Sequence, residues 1–224
     1  MKKYFRFEMD LKFLNIFAII LFFVCFGILY IFKYDLWNNM YNMNIFIYML
    51  ILFMLHEIIH GIGFALLGKK DLKKIVFGIE LEKGIFYCMC KQKISKANIL
   101  LALILPLIVL GFILLAVGII INSYILMFLA VVNISGAAGD IVMTIAIFKM
   151  RNIEYLDTDD TTGFYILSEN NMSDKKYLGL KIIEEGIYKE NEIIAKDYTR
   201  IKITKKSWSI LIGIIVLTIL LNII

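Results

Sequence analysis

The chain has 224 residues, of which 61% are hydrophobic and 19% charged, with a mean hydropathy of +0.82. An ordinary soluble domain is about half apolar and about a quarter charged, so this composition excludes a water-soluble globule. The formal net charge of +5 does not point to nucleic acid, because the basic residues stand in connections beside apolar runs, where Lys and Arg set topology and meet anionic lipid.

In chain order, five apolar runs are long enough to cross a hydrocarbon core: Phe13 to Phe32, Met43 to Leu67, Ala97 to Ile121, Ser123 to Phe148 and Ser207 to Ile224. The first follows a basic start but lacks a small-residue cleavage site, so it reads as a retained helix and not a signal peptide. The predicted fold is an all-α membrane protein, a bundle of about five transmembrane helices. The segments are 1–42 (N-terminal stretch and first helix), 43–150 (membrane-embedded core), 151–206 (an appendage) and 207–224 (last helix).

Basic residues gather in every second connection. Lys2, Lys3, Arg6 and Lys12 precede the first run, the lysines from Lys69 to Lys96 separate the second and third, and the Lys and Arg residues from Lys149 to Lys206 separate the fourth and fifth; only Lys33 falls on the other side. The positive-inside rule therefore places the N-terminus in the cytoplasm and the C-terminus outside a cell membrane. The connection at 72–90 alternates β-branched and aromatic residues around Glu82-Lys83-Gly84, which predicts a short cytoplasmic β-hairpin. The 151–206 connection mixes polar and apolar residues with turn signals at Asp157 to Gly163 and Ser168 to Asp174, which predicts a small α+β cytoplasmic appendage. Pro106 is the single proline, in the third run, where neighbouring helices can re-satisfy the backbone.

The second run contains His56-Glu57-Ile58-Ile59-His60. Histidines four apart project from one helical face and can close on one metal ion, with Glu57 beside them as a proton acceptor that does not itself ligate. In a soluble protein such a pattern arises by chance often enough to carry little weight. Here each ionisable group sunk in a bilayer costs about 2.5–3.5 kcal/mol on an insertion scale, and three fall within five residues. The ionisable groups inside the five runs, away from their ends, are His56, Glu57, His60 and Asp140. Asp140 precedes Lys149 by as many positions as His60 precedes Lys69, so at about 1.5 Å per residue the carboxylate and the imidazoles lie at similar depth, roughly 14–20 Å from the helix ends. Two histidines, a carboxylate and an open fourth position make a catalytic zinc shell. Residues four apart on one helix cannot take opposite axial positions on a haem iron, which disfavours haem.

His56-Glu57-Ile-Ile-His60 in one run, followed by Asn133-Ile-Ser-Gly136-Ala-Ala-Gly139-Asp140 in a later one, resembles the intramembrane site-2 zinc metalloproteases. It is more closely similar to small bacterial membrane proteins classed as zincin peptidases of unknown function. The resemblance covers about Met43 to Met150. It implies Zn2+ held by His56, His60 and Asp140, with Glu57 as general base, acting on a peptide or transmembrane-helix substrate. The Asn133 to Asp140 half departs from the Asn-Pro and Leu-Asp-Gly forms of the better-known proteases.

Asn133 lies seven before Asp140, nearly on the same helical face, and suits either an oxyanion contact in catalysis or an interhelical hydrogen bond. Gly61, Gly63, Gly136 and Gly139 read as packing devices for the ligand-bearing helices. Cys88 and Cys90 read as hairpin residues without a disulfide, and Asp157, Asp159 and Asp160 as a solvated turn or helix cap. The rival expectations are a non-catalytic zinc-binding membrane protein, regulatory or conferring immunity, and a metal or ion transporter. Abundant Ile, Lys and Asn suggest an AT-rich bacterial source.

Overall fold

The structure, a computed structural model, describes residues 2–33, 45–69, 71–80, 85–158 and 162–189. The run from Ser207 to Ile224, the turn Glu82-Lys83-Gly84, Asp159 and Asp160 lie outside the described residues.

The chain opens with a strand, β1 (Lys3–Met9), which leads directly into α1 (Leu11–Phe32). Asp10 caps that helix, its Oδ1 accepting the Phe13 N–H at 3.2 Å. α2 (Ile45–Ile62) runs on as a π-helical turn, Gly63–Leu67. β2 (Ile75–Glu80) and β3 (Ile85–Cys90) form an antiparallel hairpin, as the alternation predicts. The short β4 (Ile94–Ser95) precedes α3 (Lys96–Pro106), a π-helical segment (Leu107–Ile113) and α4 (Leu114–Ile120). α5 (Tyr124–Gly136) and α6 (Ala138–Lys149) follow, then β5 (Ile153–Asp157), β6 (Gly163–Ser168) and β7 (Leu180–Ile187).

Among the described residues, three helices are long and apolar enough to cross a membrane, Leu11–Phe32, Ile45–Leu67 and Lys96–Ile120; α5 and α6 make a fourth crossing if the pair, bent by 48°, is one span. The bend falls at Gly136-Ala137-Ala138-Gly139, where glycines weaken the helix and small side chains leave its backbone unbraced. α1 carries exposed Ile19, Ile20, Phe23, Ile31 and Phe32, the surface of a helix that meets lipid.

Two expectations change. The 151–206 connection carries no helix among its described residues; it supplies β5, β6 and β7. These join β1 and β4 in one five-stranded antiparallel sheet of order β4-β5-β6-β1-β7. The N-terminal stretch, expected to be only a basic flank, is therefore the fourth of five strands. Phe5 and Phe7 alternate inward from β1 with full burial and pack with Phe164 and Ile166 of β6. The same core cluster holds Ile99, Ala102 and Leu103 of α3 and Val142, Met143 and Ala146 of α6, so the sheet sits on the ends of those two helices.

Candidate metal centre

α2 presents His56 and His60 on one face, 8% and 6% exposed. Asp140 comes from the first turn of α6, just past the bend, where a carboxylate also meets the positive end of the helix dipole. His56 Nε2 lies 3.1 Å from Asp140 Oδ2, His60 Nε2 lies 3.4 Å from the same oxygen, and the two Nε2 atoms are 3.1 Å apart.

Hydrogen bonds on the far side of each ring fix which nitrogen faces this triangle. His60 Nδ1 lies 2.9 Å from the Ala102 carbonyl, which only accepts, so Nδ1 carries the proton. His56 Nδ1 lies 2.9 Å from Asn133 Oδ1. The Asn133 amide is oriented by its Nδ2, which donates to the Pro106 carbonyl at 3.2 Å, so His56 Nδ1 is also a donor. With both rings neutral, each aims its Nε2 lone pair at the other and at a carboxylate oxygen. Three acceptors at this spacing repel unless a cation lies between them. Donors about 2.0–2.1 Å from one tetrahedral ion stand about 3.3–3.4 Å apart, close to the observed separations, and an imidazole whose other N–H is held by a carbonyl or amide is the usual outer shell of a zinc ligand. The donor set fits zinc.

Two glycines let neighbours approach α2. A Cβ on Gly63 would come within 3.0 Å of the Ala102 backbone, and one on Gly61 would strike the Phe77 ring of β2. Gly136 and Gly139 are different: their added Cβ atoms meet nothing closer than 3.7 Å, and both line a cavity instead of closing a helix contact.

That cavity, of about 200 Å³, is lined by the three ligands, Glu57, Phe64, Leu103 and Met143 from the helices, and by Cys88, Met9, Tyr155, Asp157 and Phe164 from the strands. The hairpin edge faces it. Lys91 N donates to Lys74 O at 2.9 Å, and with the β2–β3 register this turns the peptide groups of Cys88 and Cys90 away from β2. The Cys90 N–H donates to Asp157 Oδ2 at 2.6 Å, and the Cys88 N–H reaches toward the Glu57 carboxylate. Burial, reinforced by Glu57, pushes the Cys88 thiol up, which favours its neutral form.

Asp157 is thus no solvated turn residue. It ends β5, takes a second hydrogen bond from the Tyr155 hydroxyl at 2.5 Å, and ties the hairpin to the five-stranded sheet. The signal was present: Ile153, Tyr155 and Asp157 alternate on one face, and the first two are buried. Burial raises the Asp157 pKa to about 6, against the Tyr155 and Cys90 hydrogen bonds that favour the charge. Because this carboxyl holds its proton more tightly folded than unfolded, its ionisation costs stability as pH rises from about 4 through about 6. Asp157→Asn keeps an acceptor for Cys90 and removes that cost. It is expected to melt a few degrees above wild type at pH 8, at about 2–4 °C per kcal/mol for a chain of this size. The gain should fade below pH 6; a lower melting point for the variant at pH 8 would refute this account.

No curated protein and no solved structure matches the chain. Residues 49–155, the stretch that holds His56, Glu57, His60, Asn133 and Asp140, match the model of the family described as "Putative zincin peptidase".

Proposed function

We propose that the protein is an intramembrane zinc metallopeptidase that hydrolyses peptide bonds of membrane-associated substrates close to the sheet-bearing ends of α3 and α6. The distribution of Lys and Arg makes that side cytoplasmic. The observation that carries the reading is the acceptor triangle of His56, His60 and Asp140 opening onto a cavity that Glu57 also lines. Structural zinc sites are closed by four protein ligands, whereas catalytic ones keep a position open.

Zinc, when bound, supplies Lewis acidity that polarises the scissile carbonyl and acidifies the attacking water. The protein's own groups do the rest. His56, His60 and Asp140 hold the ion, while Asn133 and the Ala102 carbonyl fix the two rings in register. Glu57 accepts the proton of the attacking water and passes it to the leaving amine nitrogen. An unwound stretch of substrate can dock as an added strand along the outward edge of β3 by displacing the Cys88 N–H from the Glu57 carboxylate. Phe64, Leu103, Met143 and Phe164 give the remaining walls an apolar character suited to residues drawn from a membrane segment.

The test is cleavage by the purified protein in liposomes, using casein and a membrane-anchored reporter peptide as probes. Hydrolysis is expected to stop on chelation and return with one zinc per chain. Zinc bound at that ratio with no hydrolysis of either probe, in lipid of several compositions, would replace this reading with that of a non-catalytic zinc-binding membrane protein.

A further inference from the structure

The chain's single proline stands in α3, and the carbonyl it deprives of a donor lies at the metal centre. Proline has no N–H, so in a helix the carbonyl four residues earlier loses its partner. For Pro106 that carbonyl belongs to Ala102, and Ala102 O is the group that accepts the His60 Nδ1–H at 2.9 Å. Gly63 allows the approach, because any larger residue there would press on the Ala102 backbone.

The effect continues past the proline. A π-helical segment, Leu107–Ile113, begins at the next residue, and in such a turn carbonyls pair with the donor five residues ahead and not four, which changes the direction in which they point. The Pro106 carbonyl takes the Asn133 Nδ2–H at 3.2 Å, and Asn133, only 1% exposed, turns its Oδ1 to His56 Nδ1. One turn of α3 therefore grips both imidazoles by their Nδ1 sides, one directly and one through an asparagine. A proline serving only to bend a span would not need two buried side-chain donors aimed at its turn.

We propose that Pro106 is a positioning residue of the metal centre: the donor it withholds reserves the Ala102 carbonyl for His60, and the irregular turn it begins presents its own carbonyl to Asn133. The proposal rests on the metal-centre reading of His56, His60 and Asp140 and is independent of whether that centre hydrolyses peptides.

Pro106→Ala restores an N–H that competes with His60 for Ala102 O. Alanine is the strongest helix former, so the zinc-free variant is expected to melt no lower than zinc-free wild type. The chain has two histidines, so 15N-histidine labelling gives a spectrum with one ring system for each ligand. In zinc-loaded wild type both Nδ1–H protons should resonate far downfield and exchange slowly with water. In the variant the His60 proton should move upfield and exchange faster. Its zinc dissociation constant, measured by chelator competition, should rise by about 10-fold, the lower end of what losing an outer-shell partner costs. Leu105→Ala, which perturbs the same turn but keeps the proline, should bind zinc like wild type.

An unmoved His60 resonance overturns the proposal, as does an unchanged zinc dissociation constant or an equal loss in Leu105→Ala. A wild-type protein that binds no zinc would sink the metal-centre reading and this proposal with it. Bound zinc without hydrolysis would sink only the peptidase reading.

Discussion

Glu57→Gln is expected to lower peptide hydrolysis by about 10²- to 10⁴-fold, the usual contribution of a positioned general base, while zinc content stays at the wild-type level. Glutamine keeps the shape of the side chain and still offers the Cys88 N–H an amide oxygen. It loses the capacity to take a proton from the attacking water. His56, His60 and Asp140 are untouched, and their Nε2 and Oδ2 atoms form the ion's binding triangle without help from residue 57. Metal analysis and initial-rate cleavage on the same preparation separate the two roles. Turnover within about tenfold of wild type would mean that the proton goes elsewhere, and loss of zinc together with activity would mean that Glu57 helps hold the ion.

The parts of this site that a linear reading could reach were those fixed by spacing inside one helix. His56, Glu57 and His60 share a face of α2 by helical periodicity, and no tertiary information is needed to bring the two imidazoles within 3.1 Å of each other. Asp140 was reachable by another route, because burying a charge in lipid is costly enough to make any intramembrane carboxylate conspicuous. The partner of Asn133 was less accessible. Face arithmetic from Asn133 to Asp140 assumes one straight helix, whereas the chain bends by 48° between α5 and α6. Asn133 and Asp140 then reach the same ring from opposite sides, one at Nδ1 and the other at Nε2. Spacing along a single helix does not single out that ring as the partner of Asn133.

The strands were harder to read for a different reason. β1 is seven residues long and holds Lys3 and Arg6, so its charges read as a topology signal while Phe5 and Phe7 counted for little. Its partners, β6 and β7, lie more than 150 residues away, and pairing at that separation leaves no local trace. Asp157 was hidden by its neighbours in sequence, since three aspartates within four positions resemble a solvated turn until the β5 register turns the first of them toward the cavity.

Asp140→Ala tests the join between the two halves of the centre, the α2 pair and the carboxylate from α6. Each half comes from a different helix, and a shared ion would hold the three atoms at the 3.1–3.4 Å separations they show. Removing Asp140 takes away one of three protein ligands and the negative charge of the site, so zinc affinity should fall by more than the roughly 10–100-fold that loss of an outer-shell partner costs. Stability gives a second readout on the same sample. Free zinc at about 100 times its dissociation constant stabilises a folded protein by about 2.7 kcal/mol, which at about 2–4 °C per kcal/mol raises the wild-type melting point by about 5–10 °C. Asp140→Ala should show none of that rise at the same zinc concentration, while its zinc-free melting point stays close to that of wild type. If the variant retains both the zinc affinity and the zinc-dependent rise, Asp140 is not a ligand, and the convergence of α2 and α6 must have another cause.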